Sequence, residues 1–121
     1  MRRTSSSSAG AVYFDRERRI EELRASARRA AARIPGLQRA ILFGSLVSGI
    51  ATPRSDADLL VVPAASEHTE PRDRVPVVLR ALMPLPCPLD LFVLTAQEFE
   101  RHARNDHPLL REVLRHGRDL L

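Results

Sequence analysis

Asp56 and Asp58 stand two residues apart, immediately ahead of the apolar run Leu59-Leu60-Val61-Val62. If that run is a β-strand, a period of two puts both carboxylates on one face, with their Cα atoms about 7 Å apart. Two unpaired acids so placed repel each other and lose solvation, and a bound cation offsets both costs. Hard oxygen ligands select magnesium or manganese over zinc. A third acid, Asp90, lies between Leu89 and Leu91 at the start of another apolar run. A carboxylate among apolar neighbours is costly unless it is paired or holds a metal. Should the two strands be adjacent, Asp90 arrives beside Asp56 and Asp58. Three acids at one sheet end can hold two divalent ions roughly 3.5–4 Å apart, the arrangement that serves in-line phosphoryl or nucleotidyl displacement. Upstream, Gly44-Ser45 lies between an apolar run and a short segment of undecided structure. Glycine lets a phosphate approach the backbone, and serine adds a hydroxyl donor. Alone, either motif also reads as an ordinary surface turn. Together they describe a nucleoside triphosphate site.

The elements that must position these residues follow from periodicity and turn chemistry. From Asp15 to Arg33, the apolar positions Ile20, Leu23, Ala27, Ala30, Ala31 and Ile34 recur at helical spacing, with Asp15 as a cap and Pro35-Gly36 as a stop. Ala40–Phe43 reads as a buried strand, Asp56–Val62 as a second and Leu89–Leu94 as a third. The second strand is apolar on both faces, which predicts helices on both sides of the sheet. Val75–Met83 reads as a helix with Pro76 in its first turn. Thr95 with Glu98 forms a capping-box pattern, and Pro108 opens a last helix closed by Gly117. The expected class is α/β, or α+β in some schemes: a small mixed sheet flanked by helices. Residues 1–11 read as a polar tail and 12–121 as the folded domain.

Composition narrows the setting. The chain has 121 residues, enough for one domain, and no apolar run approaches a membrane span. The basic start is followed by no apolar signal segment, and Cys87 is the sole cysteine, so a reducing, cytoplasmic setting is expected. All 19 basic residues are arginine. Ten of them face four acids in residues 1–40, a net of +6, whereas nine face eleven acids in 41–121, a net of −2. The basic excess is therefore a property of the N-terminal third. A solvated arginine-rich face accounts for it, and the lack of interleaved aromatic residues argues against direct nucleic-acid binding.

The string Gly44-Ser45-x10-Asp56-x-Asp58, followed by Leu59-Leu60-Val61-Val62 and later by Asp90, closely resembles the signature of the DNA polymerase β-like nucleotidyltransferase superfamily. The nearest likeness is to its smallest branch, the minimal nucleotidyltransferases, over about residues 17–121. The resemblance implies that Gly44 and Ser45 bind the triphosphate of ATP. It also implies that Asp56 and Asp58 hold two Mg²⁺ ions (or Mn²⁺), and that Asp90 completes the catalytic ion and helps activate the acceptor hydroxyl. Many such minimal proteins are antitoxins paired with a helical HEPN-type toxin, which they neutralise by attaching AMP to a toxin tyrosine within a hetero-oligomer. A binding-only antitoxin and a small-molecule nucleotidyltransferase are the alternatives. Family members often carry arginine just before the second glycine, where this chain has Ser48; Arg54 in the same loop is one substitute.

The remaining reactive side chains read as structural. His68, His102, His107 and His116 lack ligand spacing, and His116 near a helix C-terminus suits a dipole contact. Cys87 between prolines reads as a packing thiol, and Tyr13 as an anchor for the first helix.

Overall fold

A computed structural model describes residues 15–49, 51 and 56–121. The polar tail 1–11, Tyr13 and Arg54 lie outside the described residues. Helix α1 spans Arg16–Arg33; Asp15 caps it by accepting from the Arg18 amide at 3.1 Å, and Ile20, Leu23, Ala27 and Ala30 form its buried stripe. Then follow β1 (Leu37–Phe43), the one-turn helix α2 (Ser45–Ser48), β2 (Ala57–Pro63) and α3 (Pro71–Leu82). The chain ends with β3 (Leu89–Val93), α4 (Ala96–Arg104), α5 (Pro108–His116) and the two-residue strand β4 (Arg118–Asp119).

The strands form one mixed sheet in the order β3-β2-β1-β4. β1 is antiparallel to β2 and to β4, whereas β2 and β3 run parallel. Helices cover both faces, as the doubly apolar β2 predicts. On one face α1 and α3 pack against Ala40, Leu42, Leu59, Val61 and Val93. On the other, Phe99, Leu110 and Val113 of α4 and α5 meet Ile41, Phe43, Leu60 and Val62. Cys87 is buried in the first of these cores and unpaired. No helix among the described residues is long and apolar enough to cross a membrane.

Several boundaries differ from the expected ones. β1 begins at Leu37, three residues early, because its polar first half gains ladder partners in β2. α3 begins at Pro71 rather than Val75, so Pro76 falls in the second turn. Pro71 presets the first helical residue, and Pro76 sits on the exposed side, where a lost backbone bond is least costly. β4 is too short to leave a periodic signal. Nor is the arginine-rich face of α1 merely solvated. Arg29 donates to the Leu82 and Pro84 carbonyls at 3.2 and 2.6 Å, and Arg33 to those of Ala81 and Met83 at 3.3 and 3.1 Å. These guanidinium groups satisfy carbonyls that the end of α3 leaves open.

Candidate active site

Strand directions decide where the acids meet. Because β1 runs against β2 and β2 runs with β3, the C-terminal end of β1 and the N-terminal ends of β2 and β3 lie at one end of the sheet. Asp58 is the register partner of Phe43 on one side and of Asp90 on the other. Alternation puts Asp58 and Asp90 on the face that carries Leu60, Phe92 and Phe43. The Phe43 and Phe92 rings lie 5.8 Å apart between centroids and form an apolar floor next to the two acids. Asp56 precedes β2 and is exposed. The Ala57 amide donates to the Pro88 carbonyl at 3.0 Å, which pins the start of β2 to the segment leading into Asp90.

Asp90 is itself exposed, since β3 is an edge strand. The expectation that apolar surroundings force it toward a cation is therefore replaced by a different cause, its register with Asp58. Burial is the largest influence on the half-buried Asp58 carboxyl. The charges of Asp90 and Asp56, the reach of Asp90 for a shared proton, and the more distant charge of Glu112 act in the same direction. All of them hold the Asp58 carboxyl above the usual carboxylate range. Glu112, from α5, is a member of this acidic field that the sequence alone does not indicate, because only helix packing carries it there.

The chain turns directly against this acid. Gly44 ends β1 with φ +82°, and a Cβ built there would run into the Asp58 carboxylate. Glycine is thus required twice, by backbone conformation and by contact. α2 starts at Ser45, with the Val47 and Ser48 amides bonded to the Gly44 carbonyl at 3.1 and 3.0 Å. The Ser45 and Leu46 amides precede the first such bond and are the donors a helix start leaves over. Leu46 is buried in the core shared with α1 and anchors the turn.

Among the described residues no three acid, histidine or cysteine side chains form a ready-made metal cage. The donor chemistry nevertheless fits a hard divalent cation. Asp58 and Asp90 present carboxylate oxygens from paired register positions, and their mutual repulsion leaves uncompensated negative charge. The histidines lie elsewhere: His107 caps α5 by accepting from the Leu109 amide at 3.1 Å, and its ring is 4.6 Å from that of His102. A cavity of about 390 Å³, lined by Ile34, Pro63, His68, Arg74 and Val78, opens at the opposite end of β2.

The chain matches the nucleotidyltransferase domain family over residues 20–119, and it belongs to that family. A candidate nucleotidyltransferase from Sulfolobus solfataricus is similar in structure (TM-score 0.58, 26% identity, 71% of this chain and 75% of that one). So is a chain of the complex between a tri-AMPylated Shewanella oneidensis HEPN toxin and its MNT antitoxin (TM-score 0.51, 22% identity, 88% of this chain and 72% of that one). A toxin–antitoxin structure with AMP-PNP aligns at a TM-score of 0.47 and 24% identity, over 89% of this chain and 73% of that one. No protein of curated function matches the sequence.

Proposed function

We propose that this nucleotidyltransferase transfers AMP from ATP to a hydroxyl, such as that of a tyrosine, on a partner toxin of the HEPN type, and so acts as its antitoxin. The observation that carries the reading is the Asp58–Asp90 register pair set against the Gly44 turn. The Shewanella complex, whose toxin carries AMP groups, supports the choice of acceptor. Residues 12–121 would form the catalytic domain, in the cytoplasm, within a hetero-oligomer.

In this reading Asp56, Asp58 and Asp90 hold magnesium, while Gly44 and Ser45 hold the phosphates through backbone amides and the serine hydroxyl. The ions, when bound, neutralise charge on the α-phosphate and on the leaving pyrophosphate. The acceptor oxygen forms a bond to the α-phosphorus as the bond to the β-phosphate bridge breaks, and Asp90 takes up the hydroxyl proton. Positioning and charge do the rest. Incubation with labelled ATP, Mg²⁺ and a HEPN-type toxin from the same genome should label the toxin. Asp58→Ala should remove the label, and labelling at the wild-type rate in that variant rejects the assignment.

Ser48 favours a second reading, a binding-only antitoxin, because a serine there supplies no guanidinium to phosphate. That reading expects Asp58→Ala to protect cells from the toxin as well as wild type does.

A further inference from the structure

The short helix α2 has an acid against the glycine that precedes it and a cation against the glycine that follows it. Asp58 lies on Gly44 at its start. At its end, a Cβ placed on Gly49 would come within 2.7 Å of Arg16 Nη1 and 3.8 Å of its Cζ. Gly49 has φ +94°, so glycine both permits the left-handed turn and leaves the slot the guanidinium fills. Arg16 opens α1, where the helix dipole opposes a positive charge, so helix stability does not account for it. Its side chain is partly buried, and among the described residues it makes no hydrogen bond or ion pair. Glu17, the acid on which its charge acts, is already engaged by Arg118 through two bonds of 3.1 and 3.0 Å. A guanidinium held over one end of the turn, with carboxylates at the other, is the charge order of a metal-bound polyphosphate: cation-holding acids near the reacting phosphorus, a fork of N–H donors toward the tail.

We propose that Arg16 is a polyphosphate-binding residue, donating to the β- and γ-phosphates of the nucleoside triphosphate. This rests on the nucleotidyltransferase reading above. It also supplies from α1 the guanidinium that Ser48 does not.

The test measures binding of α,β-methylene-ATP with Mg²⁺ by calorimetry, and of AMP by competition. Arg16→Ala should weaken the triphosphate analogue at least tenfold, in line with loss of charge-assisted hydrogen bonds, and leave AMP unchanged. Its melting temperature should hold or rise, since the charge removed opposes the helix dipole. Ser48 is exposed and adjacent to Gly49, so Arg16→Ala combined with Ser48→Arg should recover most of the loss. Wild-type affinity in Arg16→Ala, alongside lost affinity in Asp58→Asn, overturns the role of Arg16 and leaves the enzyme reading intact. Equal weakening of both ligands with a lowered melting temperature also overturns it, in favour of a structural arginine. A wild-type protein that binds no triphosphate overturns both.

Discussion

Each neighbour of the Asp58 carboxylate raises its energy when ionised: its burial, two nearby aspartates and a glutamate on α5. Such a site is maintained at a cost in stability. Asp58→Asn should therefore abolish nucleotidyl transfer and yet raise stability in metal-free buffer by about 1 kcal/mol, read by urea unfolding. Mg²⁺ should raise the melting temperature of the wild type and leave the variant unmoved; an unchanged or lowered metal-free stability contradicts the repulsion. Gly44→Ala acts on the same contact from the other side. The added methyl meets the Asp58 carboxylate in a left-handed backbone, so activity should fall and stability drop by roughly 1–3 kcal/mol. The types and spacing of Gly44, Ser45, Asp56, Asp58 and Asp90 are legible in the sequence. That Gly44 touches Asp58 is not, because the contact depends on the antiparallel register of β1 and β2, which no local pattern encodes. Arg16 is not legible either: it lies 28 positions before Gly44 and meets the end of α2 only through the packing of α1.

At the scale of elements, one ion pair ties the crossover between the parallel strands to the rest. Arg74, on α3 and only 4% exposed, donates to Glu98 Oε1 and Oε2 at 2.6 and 3.1 Å and to the His68 and Thr69 carbonyls at 2.8 and 3.2 Å. Glu98 also closes the capping box of α4, accepting from the Thr95 amide at 2.9 Å. The Arg74 guanidinium, aided by the Thr95 amide, lowers the Glu98 carboxyl to about 2. A depressed folded-state value stabilises the protein above the unfolded-state value near 4.5, and the benefit disappears as pH falls toward 2. The shift corresponds to about 3 kcal/mol. Glu98→Gln should thus destabilise at pH 7 and flatten the loss of stability between pH 5 and pH 2, measured by urea unfolding across that range; an equally steep loss in the variant rejects the pairing. The Thr95–Glu98 box itself is plain from spacing. The second task of Glu98 is not, since Arg74 lies 24 residues away, in a helix whose start is obscured by Pro71 and Pro76.

At the scale of the whole sheet, residues 118–120 cover the outer side of β1. Two apolar layers sandwich a sheet whose inner strands β1 and β2 are readable as apolar runs, but the strand that covers the outer edge of β1 has only two residues. Arg118 and Asp119 pair with Leu42 and Ile41, and the next amide, that of Leu120, donates to the Ala40 carbonyl at 2.8 Å. Gly117 admits this return. Its φ of −67° is open to any residue, but a Cβ there would meet the Val113 carbonyl and come within 2.6 Å of Ile41 Cγ2. The expected stop signal at Gly117 therefore acts through space rather than through a left-handed turn. The ion pairs around β4, Arg118 with Glu17 and Arg39 with Asp119, are largely exposed and should contribute little. Leu120 is fully buried in the core beneath α1, and that burial is what secures the strand. Leu120→Ala should accordingly cost about 3 kcal/mol by urea unfolding, whereas Arg39→Ala should leave the midpoint nearly unchanged. In hydrogen exchange the Leu120→Ala variant should lose protection first at the β4 edge of β1, ahead of the β2–β3 pair that carries Asp58 and Asp90. Simultaneous loss across all four strands would instead make the sheet a single cooperative unit, with the acid pair as dependent on Leu120 as on its own strands.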